Sequence, residues 1–113
     1  MAGPPSKKEQ ELATQLQVRR TELQAIAEKI GEIESDADEH RLVLKTLSGV
    51  QEREPERTCF RLIGGVLVER TVKDVLPTLQ TTYNGLTQVL VDLAKQYRQK
   101  ESEMQQIQSE LGA

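Results

Sequence analysis

Apolar residues recur along this chain at alternating spacings of four and three, in two long runs, and that period decides what the chain can fold into. The first run is Leu12, Leu16, Arg19, Leu23, Ile26, Ile30, Ile33, Ala37, His40, Leu44 and Leu47, with only Arg19 and His40 polar. The second is Val72, Leu76, Leu79, Tyr83, Leu86, Leu90, Leu93, Tyr97, Lys100, Met104, Ile107 and Leu111, with only Lys100 polar. On a straight helix of 3.6 residues per turn such a stripe drifts out of contact. A sustained 3.5-residue repeat therefore specifies a left-handed coiled coil.

The helix boundaries follow from local signals. Residues 1–5 are a small Gly- and Pro-containing head, expected to be disordered. Ser6-Lys7-Lys8-Glu9 has the form of a capping box. The first helix is expected over about 6–53, ending before Pro55, with Gly49 marking where fraying could begin. The second, over about 71–111, opens on a Thr71 cap with Asp74 in its first turn, where the helix dipole favours an acid. Pro77 removes a backbone donor from this run, so a kink or a break and restart is expected there; Gly112 ends it.

Between the helices, Cys59-Phe60-Arg61-Leu62-Ile63 and Val66-Leu67-Val68-Glu69-Arg70 flank Gly64-Gly65. Paired glycines accept positive φ without a Cβ clash, as the tight turns of antiparallel hairpins demand. A hairpin over about 58–70 is expected, with Ile63 facing Val66, Leu62 facing Leu67, Arg61 facing Val68 and Phe60 facing Glu69. Alternation leaves apolar side chains on both faces near the turn. A lone hairpin of this kind is marginal in water. It asks for strands that the rest of this chain does not supply.

Two matched stripes joined by a short connection fold back on each other. If position i faces 123 − i, Leu47 meets Leu76, Leu44 meets Leu79, Ile30 meets Leu93, Leu16 meets Ile107 and Leu12 meets Leu111. The polar seam residues then face apolar ones: His40 meets Tyr83, Arg19 meets Met104 and Lys100 meets Leu23, with both basic stems snorkelling outward. A slip of one heptad keeps the spacing, so the register is left open to that extent. At 1.5 Å rise, arms of about 40 residues span roughly 60 Å. The expected fold is mainly α: a long antiparallel coiled-coil hairpin of one domain over 6–113, with a central β-hairpin at one end and both termini at the other.

Composition agrees and removes several function classes. Hydrophobic residues make up 36% of the chain and aromatic ones 3%, too few for an ordinary compact core. Charged residues reach 29% with a net charge of −3, which suits solvated helices and argues against nucleic-acid binding. No apolar run approaches membrane-spanning length and no secretion leader is visible, so a soluble intracellular protein is expected. The single Cys59 excludes an internal disulfide and a metal framework and reads as a strand residue. His40 reads as a packed seam residue rather than a ligand. Gly64-Gly65 lacks the pattern of a phosphate loop. The acids Glu28, Glu32, Glu34, Asp36, Asp38 and Glu39 read as a solvated helix face, or alternatively as a patch for a basic partner. No catalytic constellation, cofactor site or metal site emerges.

The segment from Cys59 to Leu79, with its G-G-V-L-V-E-R-T-V-K-D-V-L-P core, resembles the central segment of β-class prefoldin subunits. The flanking arms match that family in length and order, so the similarity covers nearly the whole chain. The chain lacks the longer polar C-terminal tails of some relatives.

The resemblance implies a subunit of a hetero-hexamer built from α- and β-class prefoldin subunits, whose hairpins assemble into β-barrels with coiled coils hanging below. It implies a cytoplasmic co-chaperone, not an enzyme, without cofactor or ATP. Such a complex holds unfolded or nascent actin and tubulin and passes them to the cytosolic group II chaperonin, with no nucleic-acid or membrane partner. Carried over by position, Phe60, Leu62, Ile63, Gly64, Gly65, Val66, Leu67 and Val68 form the subunit-assembly element. Leu12, Leu16, Met104, Ile107 and Leu111 form the client-binding tip. The competing reading is a coiled-coil scaffold or tether that spaces other proteins apart without chaperone activity.

Overall fold

A computed structural model describes residues 3–112. The order of elements is α1 (Lys7–Arg53), β1 (Thr58–Ile63), β2 (Val66–Thr71) and α2 (Val72–Gly112). Of the expected head, Met1 and Ala2 lie outside the described residues, while Gly3 to Pro5 are exposed and belong to no helix or strand.

The capping box forms at the start of α1. The Glu9 amide donates to Ser6 Oγ at 3.1 Å, and the Ser6 hydroxyl donates to Glu9 Oε1 at 3.2 Å. The first turn closes with the Gln10 amide on the Ser6 carbonyl at 3.0 Å. At the other end, the Glu54 amide still reaches the Val50 carbonyl at 2.6 Å, and the ladder stops at Pro55, which has no N–H to give. The fraying expected at Gly49 does not occur. Gly49 and Val50 are half-buried, and Val50 packs against the core cluster; that packing offsets a helix penalty of about 1 kcal/mol for glycine.

The segment between α1 and β1 turns back to cap α2. The Val72 amide donates to the Arg57 carbonyl at 2.9 Å, Lys73 to Pro55 at 3.1 Å, and Asp74 to Thr71 Oγ1 at 3.3 Å. Donors that a helix start leaves without partners are thereby satisfied. Contrary to the expected break, α2 is one helix through Pro77. Pro77 lies close to the helix start, so its missing amide costs one bond, to the Lys73 carbonyl. Both residues are exposed, and water can take the place of the lost donor.

The described chain divides into two compact units, one made of residues up to Glu32 and from Leu90 on, the other of Ile33–Val89. Within each, every seam residue predicted from the two stripes is buried or half-buried. In the first unit Leu23 and Ile107 are the buried side chains, and the charged pairs Arg19–Glu103 and Glu22–Lys100 set α1 and α2 antiparallel. Rising along α1 from 19 to 22 means falling along α2 from 103 to 100. This fits Arg19 opposite Met104 and excludes a one-heptad slip, which would place Arg19 at Tyr97 or Leu111.

The second unit is centred on Leu44, Val72 and Leu76, with Leu47, Val50, Cys59, Leu79 and Tyr83 packed around them. The cluster contains both expected seam pairs, Leu44 with Leu79 and Leu47 with Leu76. Val72 is 0% exposed, the joint between hairpin and helix. Full burial of one such side chain is worth roughly 1.5–3 kcal/mol.

Candidate functional site

The hairpin has the predicted register in full: Ile63 pairs with Val66, Leu62 with Leu67, Arg61 with Val68 and Phe60 with Glu69, and the ladder continues through Cys59–Arg70 to Thr58–Thr71. Gly64 and Gly65 have φ of 55° and 82°, so both turn positions are left-handed and a β-branched residue at either would be strained. The sheet has two strands only, and each strand therefore has a free edge.

What distinguishes this hairpin is how little covers it. Phe60 and Leu67 are each 67% exposed, and Leu62, Ile63 and Val66 are exposed as well. Val68 is half-buried, and Cys59 is half-buried against the Leu44–Val72–Leu76 cluster. Apolar side chains thus stand in solvent on both faces of a sheet with open edges. Contiguous apolar surface of this kind marks a binding surface, and the unpaired strand groups are a template for further strands.

A groove runs beside this hairpin that two seam positions per heptad do not predict. It holds about 300 Å³ and is lined by Val43, Leu47, Cys59, Phe60, Arg61, Val75 and Leu79. Val43 and Val75 each stand one residue before a seam position, so here the apolar stripe carries a third residue per heptad. Val75 is buried, while Val43 and its neighbour Leu42 are exposed. The signal was present in the sequence as apolar residues at those flanking positions. A wide stripe of this type packs against more than one helix.

The residues assigned to the client-binding tip are placed differently. Leu12, Leu16, Met104 and Leu111 are half-buried and Ile107 is 8% exposed, so all five belong to the seam of the first unit. Each is at least partly covered, so they do not form an open patch. The surface groove on the first turns of α1 is polar, lined by Lys7, Gln10, Glu11, Thr14 and Gln15.

A charged cluster in the same unit also went unread. Arg19 Nε lies 2.9 Å from Glu103 Oε2, Arg19 Nη1 3.2 Å from Glu22 Oε1, and Lys100 Nζ 3.1 Å from Glu22 Oε2. Arg19 Nε, Glu22 Oε2 and Glu103 Oε2 are buried atoms held by ion pairing rather than by aligned hydrogen bonds. Instead of snorkelling past apolar partners, each basic seam residue takes an acid one turn on and the acid of the facing helix. Both acids stand one residue before a seam position, a spacing visible in the sequence.

His40 is half-buried and its Nδ1–H donates to the Asp36 carbonyl at 2.9 Å. The acids Glu28, Glu32, Glu34, Asp36, Asp38 and Glu39 are all exposed, with Lys29 on Glu32 at 3.7 Å and Arg41 on Asp38 at 3.4 Å. Among the described residues no group of three or more His, Cys, Asp or Glu side chains is placed to hold a metal, and no helix is long and apolar enough to cross a membrane.

Comparison with known proteins points to one family. A family model described as "Prefoldin subunit" matches residues 10–113. The chain is 46% identical over 110 residues to the probable prefoldin subunit 2 of Schizosaccharomyces pombe, covering 97% of this chain and 93% of that one. It is 41% identical over 85 residues to human prefoldin subunit 2, covering 75% of this chain and about half (53%) of the human protein. Among solved structures, the prefoldin beta subunit from Thermococcus strain KS-1 superposes with a TM-score of 0.81 over 98% of this chain and 94% of that chain. At 16% identity that likeness shows the same fold, two helices flanking one hairpin. With its exposed hairpin, its paired stripes and these relatives, the chain belongs to the prefoldin subunit family.

Proposed function

We propose that this chain is a β-class subunit of a hetero-hexameric prefoldin co-chaperone in the cytoplasm. In that complex it holds unfolded or nascent proteins such as actin and tubulin without ATP and hands them to the cytosolic group II chaperonin. The observation that carries the reading is the hairpin. Five large apolar side chains, Phe60, Leu62, Ile63, Val66 and Leu67, are exposed on a two-stranded sheet with free edges. A protein that works alone has no use for that surface. A subunit completed by neighbouring strands buries it.

In this reading Phe60 to Val68 is the assembly element, and the seam ends around Leu12, Leu16, Met104, Ile107 and Leu111 meet the client. Since those five are packed, client contact requires the helix ends to open and lend their seam residues transiently. Several ends acting together then gain avidity although each binds weakly.

The test is light scattering of denatured actin diluted into buffer without nucleotide, with matched complexes. Intact complex suppresses aggregation. Removing residues 1–16 and 104–113, with the other β-class tips shortened equally, lowers protection while assembly persists. Equal protection by the trimmed complex refutes the client role of these residues and favours a plain coiled-coil tether.

A further inference from the structure

Four charged side chains in the unit of the helix ends close into a ring. Arg19 Nε lies 2.9 Å from Glu103 Oε2, and Arg19 Nη1 3.2 Å from Glu22 Oε1. Lys100 Nζ lies 3.1 Å from Glu22 Oε2 and 3.8 Å from Glu103 Oε2. Each base therefore touches both acids, two of the four contacts cross between α1 and α2, and the ring is neutral. Arg19 Nε, Glu22 Oε2 and Glu103 Oε2 are buried atoms.

The seam differs on the two sides of this ring. Outward, toward the termini, it has two apolar layers in the register that the cross-helix pairs set: Leu12 with Leu111, and Leu16 with Ile107. Of those four side chains only Ile107 is buried. The helical segments involved are short, 7–18 on α1 and 105–112 on α2. Helices of about a dozen residues or fewer are marginal without packing, and two half-covered layers give them little. Inward, the seam continues behind buried Leu23 through Ile26, Ile30, Leu93 and Tyr97.

We propose that the ring is a stop that confines opening of the helix ends to the two outer layers. The length of seam lent to a client is then set at Arg19 and Glu103. The effect on client holding rests on the reading that these ends meet the client; the stop itself does not. An opening front that arrives from the termini separates apolar layers one at a time, each at small cost. At the ring it meets charges that are shared. Parting Arg19 from Glu103 leaves Glu103 on Lys100 alone at the longer distance of 3.8 Å, and leaves a buried guanidinium nitrogen without its carboxylate. A covered charge stripped of one partner is costly. An isolated surface pair contributes little, but in a ring the loss of one contact weakens its neighbours.

Hydrogen exchange read by mass spectrometry, on the chain reconstituted with its partner subunits, locates the stop. In wild type, amides of 8–18 and 105–112 should exchange fast and those of 20–30 and 93–103 slowly, with the step at the ring. Two variants are compared with it. Glu22→Gln with Glu103→Gln keeps side-chain size and removes both negative charges. Arg19→Glu, Glu22→Arg, Lys100→Glu and Glu103→Arg together rebuild the ring with every sign reversed. The hairpin lies in the other unit, so all forms should assemble. In the amide variant, 20–27 and 96–103 should exchange at least about tenfold faster, with the outer segments unchanged. The reversed ring should restore the wild-type step, and raised salt should move wild type toward the amide variant.

Protection that rises smoothly along wild type, with no step at the ring, overturns the proposal. A wild-type profile in the amide variant, or in wild type at high salt, overturns it as well. So does a reversed ring that behaves like the amide variant, because side-chain shape rather than pairing would then set the step. Scattering of diluted, denatured actin on the same complexes reads the client role separately. With a longer opened end, the amide variant should reach half protection at a complex concentration lowered about twofold or more. A moved step with unchanged protection keeps the stop and overturns the client reading of the helix ends.

Discussion

Arg19 Nε on α1 and Glu103 Oε2 on α2 stand 2.9 Å apart, an ion pair that joins residues far separated in sequence and fixes which turns of the two helices are neighbours. The side chains are 28% and 36% exposed, so solvent screens the attraction and only part of it is realised as stability. Its larger effect is selective, because a slipped register leaves Glu103 without its guanidinium.

That pair should show measurable coupling. In a double-mutant cycle of Arg19→Ala and Glu103→Ala by urea unfolding, the interaction energy should be about 0.5–1 kcal/mol and fall at high salt. Additive effects at low salt would show that the two charges merely coexist.

The register can be tested independently of charge. With Cys59 replaced by Ser, cysteines at Ile30 and Leu93 should oxidise to a disulfide within one chain. Pairing of Ile30 with Leu86 or Lys100, seven residues to either side, should fail because Cα separations beyond about 7 Å cannot be bridged. Efficient bridging at a displaced partner contradicts the register, and products formed only between chains contradict the fold-back.

The turn should be sensitive to any added Cβ. Gly64 and Gly65 have empty space around them and positive φ, so a substitution there strains the backbone without a steric clash. Gly65→Val should destabilise the hairpin by about 1–2 kcal/mol, while Gly64→Asn, whose side chain tolerates left-handed geometry, should cost less. Assembly measured against concentration reads out both; equal behaviour of the two variants contradicts the turn assignment.

Val72 should be the most sensitive single apolar position near the hairpin. Truncation to Ala leaves a cavity between Leu44, Leu76 and the strands and should cost roughly 1–3 kcal/mol in thermal or urea unfolding. The same truncation at exposed Val91 should change stability by less than about 0.5 kcal/mol. A reversed order would mean that the hairpin-side core lies elsewhere.

Most of the fold was legible because it is written in periods. A 3.5-residue stripe names both helices and their facing sides, and a Gly-Gly pair between alternating strands names the hairpin and each cross-strand partner. What was misjudged depends on neighbours in space. Pro77 and Gly49 carry local signals against helix, yet α2 loses one bond at its solvated start and α1 is held by packing through Val50. The groove was overlooked because Val43 and Val75 flank the seam, and a reading limited to two positions per heptad treats them as surface. For Leu12, Leu16, Met104, Ile107 and Leu111, a pattern says that they face a partner helix. It does not say how often they leave it.

The central claim is that the exposed hairpin is completed by other subunits, and native mass spectrometry of the chain reconstituted with its partner subunits tests it most directly. Wild type should appear in a single hetero-hexameric species that contains this chain. Leu67→Asp, whose carboxylate would be buried and unpaired between strands at a cost of several kcal/mol, should be left out of that species while remaining helical. Incorporation of Leu67→Asp at the wild-type level, or a wild-type chain found only free of partners, would contradict the account.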